Sequence, residues 1–491
     1  METNNYEYDL LVIGSGPAGQ RAAIQAAKLG KRVAIIERKT VLGGVCINTG
    51  TIPSKTLREA VLYLSGYGER EMYGASYTVK QTIGMTDLLY RANHVIRNEV
   101  EVTRSQLLRN RIEVINGAAT FVDPHTLRID QPERRGHREV TSRSIVIATG
   151  SRATEDKHIP FDGQRVFTSD DILGLDHVPR TLAVIGAGVI GCEYASIFAA
   201  LGVRVTLIDK RPRLLDFVDA EIVDALTYHM SQHRVTLRLG EEVSGIEHFS
   251  DEQGEWIFIH LASNKQIIAE KALYSIGRTG NVDLLNLGLA GLTADDRGRL
   301  KVNQFYQTEV PHIYAVGDVI GFPSLAATSM EQGRLAACHV FGVEIKSVPE
   351  LFPYGIYTIP EISMVGPHEQ ELTRQGIPYE VGKAQYRENA RGQIINDSTG
   401  LLKLIFHIDN RQLLGVHIIG AAASELVHIG QTALAFGATV DYFANAVFNY
   451  PTLAECYQTA AFDAINRAQW IRVREPRGRR DPNALPAPPH P

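Results

Sequence analysis

YDLLVIGSGPAGQRAAIQAAKLGKRVAIIER, Tyr8 to Arg38, is an apolar run, a glycine-rich turn, an alanine-rich stretch and a second apolar run that closes on Glu37. That order predicts strand, turn, helix, strand. Gly14, Gly16 and Gly19 fall at the spacing of a dinucleotide fingerprint. There the first glycine permits the tight turn, the second lets a pyrophosphate approach the backbone, and the third lets helix and strand pack closely. A helix starting near Pro17 turns its free amides and the positive end of its dipole toward the phosphates. Glu37 then stands where it can bind the adenosine ribose hydroxyls.

A single glycine pattern also fits a tightly packed turn. This one recurs as TLAVIGAGVIGCEYASIFAALGVRVTLIDK, Thr181 to Lys210, with Gly186, Gly188 and Gly191, and with Asp209 closing the second apolar run. Gly14 stands 23 positions before Glu37, and Gly186 stands 23 before Asp209. Two complete units are hard to explain as packing glycines, and they imply two nucleotides. Asp209 can accept from the ribose of NAD(H) and would repel the extra phosphate of NADP(H). Lys210, Arg211 and Arg213, which follow at once, are either a solvated turn or the charge that compensates this phosphate.

Composition narrows the partners. With 491 residues, 44% hydrophobic and 21% charged, the chain is long enough for about three domains. A formal charge of -5 gives no strong electrostatic case for nucleic acid as the main partner. METNNYEYDL lacks a basic region followed by an apolar core, and no apolar run approaches the ~20 residues of a membrane span. The expectation is a cytoplasmic protein without a membrane partner. Cys46, Cys192, Cys338 and Cys456 show no zinc-ligand spacing, so no metal site is expected, and Cys192 and Cys338 read as helix-packing residues. Residues 86–109 read as one amphipathic helix, capped by Thr86 or Asp87, with no chemistry assigned. The arginine-rich and then proline-rich stretch after Ile471 cannot bury enough apolar area to offset its ordering entropy and reads as a solvated tail.

A third segment, TEVPHIYAVGDVIG, Thr308 to Gly321, carries an apolar run into Gly317 and Asp318. Together with the two fingerprints, the Ala-Thr-Gly of Ala148 to Gly150 and the Gly-Arg of Gly277 and Arg278, it makes the chain resemble the pyridine nucleotide-disulfide oxidoreductase family, from about Tyr8 to about Arg467. The resemblance implies an α/β fold with two Rossmann-like dinucleotide-binding domains, for FAD and NAD(P), plus a C-terminal α+β dimerisation domain. The FAD domain would span 1–150 and resume over 277–348, around an NAD(P) domain at 151–276. The interface domain would span 349–471, opening near PYGIYTIPEISMVG with strands such as LLKLIF and LLGVHIIG followed by helices, before a tail at 472–491. The cofactors implied are FAD, NAD(H) and NADP(H). Gly44, Thr149, Gly150, Gly277, Arg278, Gly317 and Asp318 would join the fingerprint residues in nucleotide binding, Asp318 on the flavin ribityl chain. A homodimer is implied, each active site being shared by two subunits, with higher oligomers left open.

Two departures from the family then bear on the reaction. GGVCINTGTIPSK, Gly43 to Lys55, holds Cys46, but Thr51 stands where the family's disulfide reductases carry a second cysteine. Two such thiols pass an electron pair to an outside disulfide, which a hydroxyl cannot do. FNYPTLAECY, Phe448 to Tyr457, keeps Pro451 and Glu455 but puts Tyr450 at the position of the family's histidine base. Tyrosine, with a reference pKa near ~10, is a poor proton shuttle for thiols. Lys55 and Glu193 match the family's ion pair beside flavin N5, where a cation stabilises electron density gained during hydride transfer. A helix after Ser324 would aim its positive end at the ring. The two departures are similar to those of family members that move hydride between NADPH and NAD+ through FAD by a ping-pong route, and this is the expected activity. A dihydrolipoyl dehydrogenase-like reductase, a diaphorase or oxidase, and a redox sensor acting through Cys46 are the alternatives. Cys46 is either a packing residue or a thiolate that tunes the flavin or forms sulfenic acid. Cys456 adjoins Glu455 and is a remote candidate to pair with Cys46 across the dimer.

Overall fold

The computed structural model describes residues 6–131, 136–251, 254–344 and 351–474. The tail beyond Arg474 and the expected boundary at 348/349 lie outside the described residues. Tyr8–Ile13 and Val33–Glu37 are buried at almost every position, as parallel strands covered on both faces must be. They stand side by side in a parallel array ordered Glu113–Asn116, Val33–Glu37, Tyr8–Ile13, Gly136–Ile147 and Ile313–Ala315. The first half of Gly136–Ile147 pairs antiparallel with Thr126–Gln131, which pairs in turn with Ala118–Asp123. A second parallel sheet runs Val235–Leu239, Arg204–Asp209, Thr181–Ile185, Lys271–Tyr274 and Val166–Thr168. The chain leaves the first sheet through Ser151–Ala153 and returns through Arg278–Gly280. These two crossings pair antiparallel, with Ser151 opposite Gly280 and Ala153 opposite Arg278.

Contacts divide the chain into two compact units. The first takes the described residues of Met1–Leu215, Met230–Glu350 and Tyr357–Ile359, and so holds both parallel sheets. In it the helices Pro17–Lys28 and Ala326–Val340 meet almost backbone to backbone. A Cβ added to Gly333 would strike the Ala18 carbonyl oxygen and lie 3.1 Å from the Ala22 amide nitrogen. Cys192 and Cys338 are buried within their helices, as packing residues are. The long helix differs at its start from the expected one. It spans Met85–Arg109 with Gly84 as cap residue, and Asp87, in the third helical position, reaches back to accept from the Gly84 amide at 3.0 Å. Neither Thr86 nor Asp87 is the cap: Met85 is buried, which draws the first turn one residue earlier, and the acid satisfies the cap amide from inside the helix. No helix among the described residues is long and apolar enough to cross a membrane.

The second unit takes the described residues of Asp216–His229, Leu351–Ile356 and Pro360–Pro491. Its antiparallel sheet is ordered Tyr354–Ile356, Ile362–Val365, Leu413–Ile419, Leu401–His407, Tyr379–Gln385. Helices Ala423–Ala435 and Glu455–Arg474 share its core through residues such as Val427, Tyr457 and Ala461. One strand carries a buried charge. The side chains of Lys403 and Asp219 are both 0% exposed and 2.8 Å apart. Lys403 also reaches Glu221 at 3.2 Å and Glu369, while Lys383 holds Glu221 from the other side at 2.6 Å. Burial opposes charge on both Asp219 and Lys403. Lys403 and His417 nevertheless hold the Asp219 carboxyl below its usual range, and Asp219 and Glu369 hold Lys403 above its own. His417, fully buried and bonded to the Pro367 carbonyl, is pushed down by burial to about 4.

Candidate active site

The first fingerprint opens onto a cleft of about 1380 Å³ of empty space, part of it open to solvent. Gly14, Gly16, Glu37, Gly44, Cys46, Thr51, Thr149, Gly150, Gly317 and Asp318 all line it, and every lining residue belongs to the first unit. The three fingerprint glycines separate by cause. Gly14 has φ +105 and a Cβ there would strike the Ala148 carbonyl; a Cβ on Gly19 would strike the Gly14 carbonyl. Gly16 has an ordinary φ of -66, and a Cβ there would meet nothing within 4 Å. Neither backbone strain nor packing demands glycine at that position, which leaves the close approach of a ligand. Helix Pro17–Lys28 begins at this wall, and Ala326 and Ser329 of helix Ala326–Val340 line another. The Thr149 hydroxyl is buried in the cleft lining without a hydrogen-bond partner among the described residues.

The second fingerprint repeats these relations. Gly186 has φ +104 and a Cβ there would lie 2.5 Å from the Ser275 carbonyl oxygen; Gly191 backs onto the Gly186 carbonyl; Gly188, with φ -79, has nothing within 4 Å. The acids match as well. Glu37 accepts from the Ser15 amide at 3.0 Å and the Lys39 amide at 2.9 Å. Asp209 accepts from the Ala187 amide at 2.6 Å and the Arg211 amide at 2.8 Å. Asp209 has an additional partner: the Arg211 guanidinium donates to both of its oxygens, at 3.0 and 2.8 Å. Burial raises the Asp209 carboxyl, but these donors outweigh it and hold the group below its usual range. Lys210 extends outward, 3.9 Å from Glu242, and Arg213 is exposed.

Where the two crossings pair, Arg278 donates to the Ser151 hydroxyl and carbonyl at 2.8 and 2.9 Å and to Asp170 at 3.2 Å. The Ser151 hydroxyl donates in turn to Asp318 at 2.7 Å. Arg278 thus orients Asp318 through Ser151 and does not itself line the cleft. Gly277, with φ +147, makes the turn into this pairing. Asn281 ties the crossings together, donating to the carbonyls of Thr149 and Gly150 at 3.1 and 3.0 Å.

Thr51 opens the helix Thr51–Ser65, and Lys55 follows one turn later, just beyond the cleft lining. Lys55 Nζ is 2.9 and 2.8 Å from the two carboxylate oxygens of Glu193, which is only 4% exposed. Glu193 also accepts from the Tyr357 amide at 2.8 Å, and the Tyr357 ring lies 4.9 Å from Lys55 Nζ. Cys46, on the short helix Gly44–Asn48, is half-buried; burial pushes its thiol up, against a hydrogen bond with Thr51 that pulls the other way. All four cysteines are free, and burial pushes Cys456 up to about 12. Tyr450 and Glu455 belong to the second unit, where Tyr450 is 76% exposed and Glu455 accepts from the Thr452 amide at 3.2 Å at the start of its helix. Sequence reasoning missed Ser15, Ser151, Asn281 and Tyr357. Ser15 sits between two fingerprint glycines and Asn281 three residues after Arg278, so position alone pointed to them. Nothing local marks Tyr357.

A family model described as pyridine nucleotide-disulphide oxidoreductase matches residues 8–333, and that family's dimerisation-domain model matches residues 352–461. The chain is 56% identical over 461 residues to a soluble pyridine nucleotide transhydrogenase of Mycobacterium bovis strain BCG, covering 94% of this chain and 98% of the relative. It is 47% identical to a protein of the same description from Colwellia psychrerythraea, over 94% of this chain and 99% of the relative. Among solved structures, the HOCl-induced flavoprotein disulfide reductase RclA of Escherichia coli superposes with a TM-score of 0.83 at 26% identity, covering 93% and 99% of the two chains. LpdA of Mycobacterium tuberculosis, at 24% identity and a TM-score of 0.84 over 92% and 99% of the chains, shares the fold.

Proposed function

The chain belongs to the pyridine nucleotide-disulphide oxidoreductase family, and from that premise we propose an FAD-dependent transhydrogenase: NADPH + NAD+ gives NADP+ + NADH, reversibly. FAD, when bound, supplies the ring that takes a hydride from one nicotinamide and returns it to another. The chain supplies the rest. Gly16 and the helix end at Pro17 fit a pyrophosphate, Glu37 a ribose, and Asp318, oriented through Ser151, the ribityl chain. The Thr149 hydroxyl, without a partner among the described residues, stands at the same wall. Gly186, Gly188, Gly191, Asp209, Lys210 and Arg211 form the nicotinamide nucleotide site. In this reading 1–150 and 277–348 are the FAD domain, 151–276 the NAD(P) domain and 349–471 the dimerisation domain of a cytoplasmic homodimer. Lys55, ion-paired with Glu193, is the cation that stabilises charge on the ring during transfer.

The observation that carries this over a disulfide reductase is the partner of Cys46. Thr51, with a hydroxyl and not a second sulfur, lines the cleft with it, and burial pushes the half-buried thiol away from the thiolate form. Tyr450 and Glu455 occupy the place of the family's base and its acidic partner, without the histidine that thiol chemistry uses. Anaerobic titration with dithionite should therefore take about two electron equivalents per FAD, because no disulfide adds its own pair. An uptake of four, or rapid lipoamide reduction lost in Cys46→Ser, would return the enzyme to the reductases.

Nucleotide choice follows from the ion pair at the second acid. Asp209→Ala removes the repelling carboxylate and releases Arg211 from its bonds to it, so the NADPH/NADH ratio of kcat/KM should rise about tenfold, a change of ~1.4 kcal/mol. Arg211→Ala leaves Asp209 with the Ala187 and residue-211 amides among its described donors and should lower the ratio. Steady-state assays with each reduced nucleotide measure both; ratios unchanged in both variants count against the placement of this site.

A further inference from the structure

We propose that Tyr357 is a positioning residue for hydride transfer: its ring face and its backbone amide together fix the Lys55–Glu193 pair. Lys55 Nζ lies 4.9 Å from the centroid of the Tyr357 ring while bonded to both oxygens of Glu193 at 2.9 and 2.8 Å. The Tyr357 amide donates to the same carboxylate at 2.8 Å. One residue therefore touches both members of the pair, the cation through a π face and the anion through an N–H.

The next two residues anchor it. The Thr358 carbonyl accepts from Arg58 Nε at 3.1 Å, and the Ile359 amide donates to the Ser196 hydroxyl at 3.0 Å. Arg58 lies on the helix of Lys55, and Ser196 on the helix of Glu193. Three consecutive residues thus strap together the two helices that supply the pair. In sequence the strap is an island: Tyr357–Ile359 packs with the first unit, whereas Leu351–Ile356 before it and the residues from Pro360 after it belong to the second.

A lysine ammonium is a compact charge on a flexible stem, and its effect on a nearby ring depends on where it rests. Glu193 and the Ser54 hydroxyl, 3.3 Å from Lys55 Nζ, hold it through hydrogen bonds, on a stem that still bends. The aromatic face adds an attraction of a different kind, at 4.9 Å, and narrows where the ammonium rests. This rests on the reading that Lys55 acts on bound FAD, and the experiment separates the two claims.

Tyr357→Leu removes the ring and keeps the strap amide; Tyr357→Phe keeps the ring face; Tyr357→Met is a second ring deletion should the leucine variant not fold. In the FAD-loaded enzyme at rest, acylation of Lys55 by acetic anhydride, followed by peptide mass spectrometry, should quicken about threefold in the ring deletions and stay near wild type in Tyr357→Phe. In the FAD-loaded enzyme, stopped-flow reduction by NADPH should slow about threefold in the ring deletions, with KM for NADPH unchanged and Tyr357→Phe restoring the rate. Lys55→Met runs beside them. If it reduces as fast as wild type, the role of Lys55 fails, and this inference with it. If Lys55→Met is slow while the ring deletions match wild type in either labelling or rate, the role of Lys55 stands and that of Tyr357 is overturned. Equal loss in Tyr357→Phe also overturns it, because the hydroxyl and not the ring would then be at work.

Discussion

Lys403→Met is expected to lower the unfolding free energy by about 3–5 kcal/mol, measured as a shift of the denaturant midpoint at constant m-value. The residue is the shared cation of Asp219, Glu221 and Glu369 at the centre of a buried strand. A methionine fills much the same volume, so the loss is electrostatic: Asp219, with 0% exposed side chain, would keep its charge without its cation. Neutralising the cluster together, as Lys403→Met with Asp219→Asn, Glu221→Gln and Glu369→Gln, should recover a large part of the loss. No recovery would mean that the lysine matters through shape.

The pH dependence has a definite sign. His417 stands at about 4 against an ordinary 6.5, so the unfolded chain takes up a proton that the folded one refuses, and stability falls as pH drops from 6.5 toward 4. Asp219 and Glu221 are held below their ordinary 3.8 and 4.5, so their contribution is complete above those values and is lost as pH falls through the folded values. Lys403 is held above its ordinary 10.5; its contribution is complete below that value and is lost only as pH rises past the folded one. In Lys403→Met the carboxylates titrate closer to their ordinary range. The gap between wild type and variant should therefore narrow as the pH is lowered from 7 to about 3.

Lys55→Met is expected to leave FAD bound and to slow its reduction by NADPH by at least ~10-fold, read by stopped flow at saturating nucleotide. In the proposed role the charge lost is one that stabilises electron density appearing during transfer, so the loss should fall on the rate rather than on nucleotide affinity. Glu193 complicates a single substitution. It is nearly buried, and without Lys55 it keeps only the Tyr357 amide among the partners described above, so instability could imitate a chemical effect. Lys55→Met with Glu193→Gln removes that charge. Recovered thermal stability with the slow rate retained assigns the effect to chemistry; recovery of both reduces the pair to scaffolding.

Short stretches of chain fixed what depends on neighbours in sequence. The two strand-turn-helix units could be read because Gly14 and Gly19, like Gly186 and Gly191, answer clearances within a few residues of the turn or against the adjoining strand. Gly16 and Gly188, which no packing requires, could be read as ligand contacts for the same reason. The identity of residue 51 is equally a matter of sequence: a hydroxyl there excludes a disulfide with Cys46 whatever the fold. The helix cap at Gly84 escaped because a reach-back acid in the third position and a capping residue look alike in one dimension. Arg211 carried a charge that sequence could assign to a solvated turn or to a phosphate; only folding laid it on Asp209. Gly333 against Ala18, Lys403 among three carboxylates and Tyr357 over Lys55 each join residues tens to hundreds of positions apart. Sequence determined the turns, the fingerprints and the missing sulfur, because local backbone sterics and covalent chemistry are written residue by residue. Which charges meet, and which ring covers the Lys55 ammonium, was decided by tertiary structure alone, because such contacts are set by how separate elements pack and leave no local period or motif.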